Sequence, residues 1–290
     1  MQYETFKEHI LEQIHAHFQG TRKVSIQKII KNNGLKLDGL IILEQGLNIA
    51  PTLYLNYYFQ KYENGTCFSE IIEEILCDYE RNRPRESINV SFFTEFSNVK
   101  YRIVYKLINY DKNAELLERI PHVPFLDLAI VFYCLAHSDG TGNATILIHN
   151  HHMERWGVSI TELMKWACKN TPLLLPCELR SVKSMFPDSS KLDTTNLFPM
   201  FIMTNYSRLN GATTMIYKEL LKEIAMEMES DLYILPSSVH EVLLLPAKDK
   251  KALSELSELV KQVNALEVSA EEILSDHAYY YSRDDNCVSM

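Results

Sequence analysis

Residues 231–246, DLYILPSSVHEVLLLP, constrain the fold more than any other stretch of the chain. Two nearly continuous apolar runs flank a short polar corner. Strands that are apolar at every position, rather than every second one, are covered on both faces. The segment therefore reads as a hairpin at the centre of a mostly antiparallel sheet. Such a sheet needs layers on either side, and helical periodicities elsewhere supply them.

Near the start, Phe6, Ile10, Ile14 and Phe18 recur every four residues and describe one apolar face of a helix ending at Gly20. Val24, Ile26 and Ile30 then alternate with polar residues. Asn33-Gly34 supplies the positive φ angles of a two-residue turn, and Leu35, Leu37 and Ile41 resume the alternation, which predicts a first hairpin. Helices follow over 52–62 and 69–81. The spacing of Phe96, Val99, Ile103 and Leu107 predicts another across 92–117. Pro121 and Pro124 frame a loop, after which FLDLAIVFYCLA and ATILIHN read as a second hairpin. Ser159 with Glu162 makes a capping box for the helix ITELMKWACKN. The polar stretch 181–199 lacks periodicity and reads as an excursion, ahead of a strand at PMFIM and a helix over 212–229. Beyond the opening hairpin come a helix through Leu253, Leu256, Leu259, Val260 and Val263, a helix start at Ser269, and a last strand at AYYYS.

The expected class is α+β, in two parts. Residues 1–120 form a largely helical N-terminal part with a β-hairpin, and residues 121–290 a mostly antiparallel sheet packed with helices. No apolar run reaches the ~18 residues that span a bilayer, so no membrane is expected. The net charge of −9 opposes direct nucleic-acid binding unless a local basic patch, such as 81–85 or 248–251, overcomes it. Tyr54, Tyr57, Tyr58 and Tyr62 lack the basic company of a base-stacking platform and read as helix packing. Six cysteines without a CxxC pair read as reduced thiols. The N-terminus has neither the apolar core nor the cleavage site of a secretion signal, so the cytoplasm is the expected location.

Three constellations carry candidate chemistry. In the polar corner, Ser237, Ser238, His240 and Glu241 are the residue types of a serine hydrolase. Ser238 and His240, two apart on an extended segment, point the same way, while Glu241 faces the other side. His149 and His151 share the parity of one strand face and offer two imidazoles to a divalent metal, with His137 and Asp139 as neighbours across the hairpin. Asp127, within the apolar LDLAIVF, is either a structural acceptor or a site carboxyl with a raised pKa. Neither GxxxxGKS nor GxGxxG occurs, and the residues leave any cofactor unassigned.

KNNG, NIAPTLYL, PHVPFLDLAIVF, NHHMERWGVSITELMKWACKNT, NGATTMIY, DLYILPSSVHEVLLLP and LSDHAYYYSRDD together resemble the bacterial family of domain of unknown function 5688, over nearly the whole chain. More distantly, the order of elements is similar to the family of unknown function 1444. The resemblance implies a cytoplasmic bacterial protein and carries over no activity, cofactor or catalytic residue. The leading expectation is a non-catalytic protein-binding or regulatory module, because no catalytic set is complete and Tyr and Met are abundant. The alternatives are a hydrolase using the serine–histidine corner or a His-bound metal and, more remotely, nucleic-acid association or mimicry.

Overall fold

A computed structural model describes residues 1–87, 91–139, 142–185, 199–247 and 252–290, with the side chains of 137–139, 142–144 and 184–185 outside the description. The basic run 248–251 and most of the 181–199 excursion therefore lie outside the described residues. The chain forms two compact units. The first comprises Met1–Lys31 and Leu35–Ser91; the second comprises Asn32–Gly34 and Phe92–Met290. Residues 92–120 count with the second unit.

In the first unit, α1 (Tyr3–Phe18) leads into β1 (Arg22–Ile30), β2 (Lys36–Glu44) and β3 (Thr52–Tyr54), followed by α2 (Leu55–Glu63) and α3 (Phe68–Asn82). The three strands form an antiparallel sheet in the order β1-β2-β3. Phe6, Ile10 and Ile14 of α1 pack with Val24, Leu40, Ile42 and Leu53 from one face of the sheet and with Ile71, Ile75 and Tyr79 of α3. The predicted four-residue spacing in α1 is thus its buried stripe. Tyr58 is buried and donates to Asp78 Oδ2 at 2.7 Å, and Tyr62 packs on Phe6, so these rings line a helix interface. The hairpin connection is longer than the predicted two residues. Lys31 N–H donates to Leu35 C=O at 2.8 Å, and Asn33 and Gly34 within that loop both have positive φ, 59° and 68°.

The second unit continues with α4 (Phe96–Val99), β4 (Ile103–Asn109), α5 (Ala114–Leu117), β5 (His122–Phe125), β6 (Leu128–Asp139) and β7 (Gly142–Leu147). Next come α6 (Asn150–Trp156), α7 (Ile160–Leu174), β8 (Cys177–Ser181), β9 (Phe201–Asn205) and α8 (Leu220–Glu227). The chain closes with β10 (Asp231–Ser238), β11 (Glu241–Ala247), α9 (Leu253–Glu267), β12 (Tyr279–Ser282) and β13 (Cys287–Ser289). The strands make a six-stranded antiparallel sheet, β13-β12-β10-β11-β9-β8, and a four-stranded one in which β6 pairs with β4, β5 and β7. The fold is α+β, and β10–β11 lie at the centre of the larger sheet. Leu232, Ile234, Val242 and Leu244 enter one core, shared with Phe132 and Tyr105 of the smaller sheet. Tyr233 and Leu235 enter another, with Val260 of α9. Burial on both faces is why the hairpin is continuously apolar.

Several local expectations change. The helix predicted over 92–117 is interrupted by β4, whose residues are buried on both faces, so a strand there shows no period of two. Pro121–Pro124 is not a plain loop: His122–Phe125 pairs with β6, and Pro124 occupies an edge strand, where a missing N–H is tolerated. The helix over 212–229 is a 3-10 turn at Gly211–Ile216 followed by α8, with Glu219 at φ 63° between them. Ser269 begins a turn rather than a helix. Ser159 caps α7 as expected, accepting from Glu162 N–H at 3.2 Å. No helix among the described residues is long and apolar enough to cross a membrane.

The outer edge of β4 is closed by side chains. Tyr105 N–H donates to Thr171 Oγ1 at 3.2 Å, Leu107 N–H donates to Thr213 Oγ1 at 3.1 Å, and Asn170 Nδ2 donates to Ile103 C=O at 2.9 Å. Buried hydroxyl and amide groups thus replace a neighbouring strand.

Candidate functional site

The β10–β11 corner contains a bulge. Pairing shifts between Pro236 and Ser238, which brings Ser238 opposite Glu241 and leaves Ser237 outside the register. Ser237 Oγ donates to Glu241 Oε1 at 3.2 Å, and Ser238 Oγ accepts from the main-chain N–H of His240 at 3.0 Å. The imidazole is engaged elsewhere. Asn210 N–H donates to its Nδ1 at 3.1 Å, which leaves the ring proton of the neutral form on Nε2, 3.8 Å from Glu272 Oε1. Neither serine hydrogen-bonds the ring. Ser238 and His240 meet only through the main chain of His240, as in a serine turn, because Val239 and His240 form a turn and the segment is not extended there.

Main-chain contacts tie the same corner to two other segments. Thr204 Oγ1 donates to His240 C=O at 2.7 Å, and Val239 N–H donates to Glu272 C=O at 2.8 Å. Gly211 lies so close that a Cβ there would stand 2.1 Å from Thr204 Oγ1 and 2.4 Å from His240 C=O. Nucleophilic catalysis requires a hydroxyl in contact with a base. Here the base nitrogen holds a main-chain N–H, and the corner is built as a joint between three stretches of chain. Asn210 and Glu272 escape a sequence reading because they lie about 30 positions from His240 on either side.

The histidines are arranged differently from the predicted strand face. β7 ends at Leu147, His149 precedes α6, and His151 lies in that helix's first turn. The rings of His149 and His151 are 5.4 Å apart, and the adjacent His152, not among the predicted ligands, lies 4.0 Å from His151. His149 N–H donates to His152 Nδ1 at 3.0 Å, and His152 also rests on Phe93, 4.9 Å between centroids. Among the described residues no group of three or more His, Cys, Asp or Glu is arranged to hold a metal ion. His137 and Asp139 fall outside the described side chains.

Burial first, and then the neighbouring His151 and His149, lower the His152 pKa to about 4. The unfolded chain takes up a proton here near 6.5 while the folded chain resists it. Stability is therefore expected to fall as pH drops from about 6.5 toward about 4 and to gain no further loss from this group below that. His152→Phe should flatten that part of a melting-temperature profile; an unchanged slope would assign the acid sensitivity to other groups.

Asp127 is a structural acceptor. It sits with Leu126 in the two-residue turn between β5 and β6, where Leu126 adopts φ 55°. Its carboxylate accepts from Ser275 Oγ at 2.6 Å and from Tyr279 Oη at 2.7 Å. Burial, and then this carboxylate, push the Tyr279 pKa well up.

A different kind of site lies at β1, which among the described residues pairs only with β2. The bond from Lys31 N–H to Leu35 C=O fixes the alternation of the antiparallel ladder, so residues 23, 25, 27 and 29 face β2. Arg22, Val24, Ile26, Lys28 and Ile30 then turn their N–H and C=O groups outward. No hydrogen bond reaches these main-chain groups from any described residue. This is the longest edge strand among the described residues, and unlike β4 it has no cap.

A model of a family of unknown function, DUF5688, matches residues 3–283. The chain belongs to this family. No curated protein matches the chain, and neither does any solved structure. The DUF5688 match includes the open edge of β1, the His240 joint and the histidine turn, so all three lie in family sequence.

Proposed function

We propose that this DUF5688 protein is a non-catalytic protein-binding or regulatory module of the bacterial cytoplasm. The observation that carries the reading is the nine-residue edge of β1, whose outward main-chain groups have no partner among the described residues. Edge strands left open in this way are templates for pairing with another chain. The occupied imidazole of His240 favours binding over hydrolysis, and six free thiols suit a reducing compartment.

Ile30→Pro provides the test. Ile30 is 46% exposed at the end of the strand, its N–H points outward, and proline there removes an edge donor without breaking the β1–β2 ladder. Wild-type bait is expected to retain specific proteins from lysate that Ile30→Pro bait loses. Identical captures from the two baits would remove the edge as the binding surface. A serine-directed fluorophosphonate is expected to leave Ser237 and Ser238 unlabelled; stoichiometric labelling abolished by Ser238→Ala would restore the hydrolase.

A further inference from the structure

We infer that β1 receives an acidic, extended segment of a partner protein, which joins the sheet as a fourth strand. This rests on the protein-binding reading and specifies the partner. Five outward N–H and five outward C=O groups recur along β1 at every second residue, a main-chain pattern that an extended peptide matches and a helix does not. Nine residues span roughly 30 Å, enough for a strand of ordinary length.

Charge narrows the class. β1 carries Arg22, Lys23 and Lys28 and no acid, and Lys31 and Lys36 follow at its turn. Lys23 makes no ion pair among the described residues. Lys28 reaches Asp38 at 3.2 Å on the helix-covered face yet stays 72% exposed. Lys23 and Lys28 have opposite parity and project on opposite faces, so an added strand meets a cation whichever way its acidic side chains point. Arg22 is held by Glu44 at 3.2 Å, but two copies of β1 paired edge to edge would still bring together four exposed lysines, which disfavours self-association. Lysines that only guarded the edge against pairing would leave the acidic peptide unbound.

The probe is a fluorescein-labelled peptide of alternating Glu and Val, nine residues long, titrated into the full chain. Its controls are the Lys-for-Glu peptide and two forms N-methylated at every second residue, one in each phase. The acidic peptide is expected to bind in a salt-sensitive manner. One methylated phase should lose at least tenfold in affinity while the other keeps it, because only one set of amides faces β1. Exchange protection should appear at Arg22, Val24, Ile26, Lys28 and Ile30. No binding, equal binding by the Lys peptide, or equal loss in both phases would overturn the inference. Protection confined to another surface would also overturn it, for example the α9 stripe of exposed Leu259, Val263 and Leu266. If the peptide fails while the wild-type and Ile30→Pro baits still differ, the acidic strand is wrong and the binding edge stands; if both fail, both readings fall.

Discussion

Gly211→Ala is expected to destabilise the second unit by about 3 kcal/mol, lowering its Tm by roughly 6–12 °C. The cause is steric rather than conformational. The added methyl would stand 2.1 Å from Thr204 Oγ1, 2.4 Å from His240 C=O and 2.8 Å from Asn205 N. Two of these three atoms are main chain, so no rotamer change relieves the overlap. The bend around Asn210 must move instead, and Asn210 N–H then leaves His240 Nδ1. Urea unfolding with the imidazole followed by NMR measures both effects. A variant within about 2 °C of wild type, with the His240 signal unchanged, would mean that the joint is much looser than its distances indicate.

Asp38→Ala is expected to cost the first unit about 3 kcal/mol. Asp38 is only 4% exposed and accepts from Lys7, itself 9% exposed, at 3.2 Å. Its main-chain N–H donates to Asn56 Oδ1 at 2.8 Å, which fixes the carboxylate's place at the mouth of the core. Burial opposes its charge, but hydrogen bonds from Lys28 and Lys7 outweigh burial and hold the carboxyl below its usual 3.8. Removing the carboxylate leaves the Lys7 ammonium with the exposed Glu4 at 2.9 Å and the Tyr3 ring centroid at 4.9 Å. Because the folded pKa is depressed, the contribution is full above the unfolded value and disappears as pH falls through the folded one. Wild type and variant should therefore differ most near neutrality and converge in strong acid. A constant difference across that range would show that the loss is packing, not charge. Replacing Asp38 and Lys7 together by apolar residues should recover much of the stability.

The β1–β2 and β10–β11 hairpins were legible because turn chemistry and apolar patterning agreed at each. Asn33-Gly34 supplied two positive φ angles, and the continuous runs around Ser237 marked strands covered twice. Where one pattern served two structures, the reading failed. Phe96, Val99, Ile103 and Leu107 keep a helical spacing, yet the last two belong to a strand buried on both faces. The corner was legible as a cluster but not as a geometry. Parity misled there, because Val239 and His240 form a turn and Glu241 comes back opposite Ser238, while the groups that occupy the imidazole come from a bend and a turn far along the chain. The open edge of β1 was not legible either, because Arg22, Lys23 and Lys28 suit any exposed strand. An edge is defined by the strand that does not arrive, and only topology reveals it.

The capped edge of β4 bears on how the chain is made. Thr171 lies 66 residues after the amide it caps, and Thr213 lies 106 residues after Leu107. At about 5–20 residues per second, the Leu107 amide waits roughly 5–20 s on the ribosome for its partner. Through that interval a β-branched, apolar strand has an unfinished side. A fragment that ends before Thr213 keeps that side unfinished permanently.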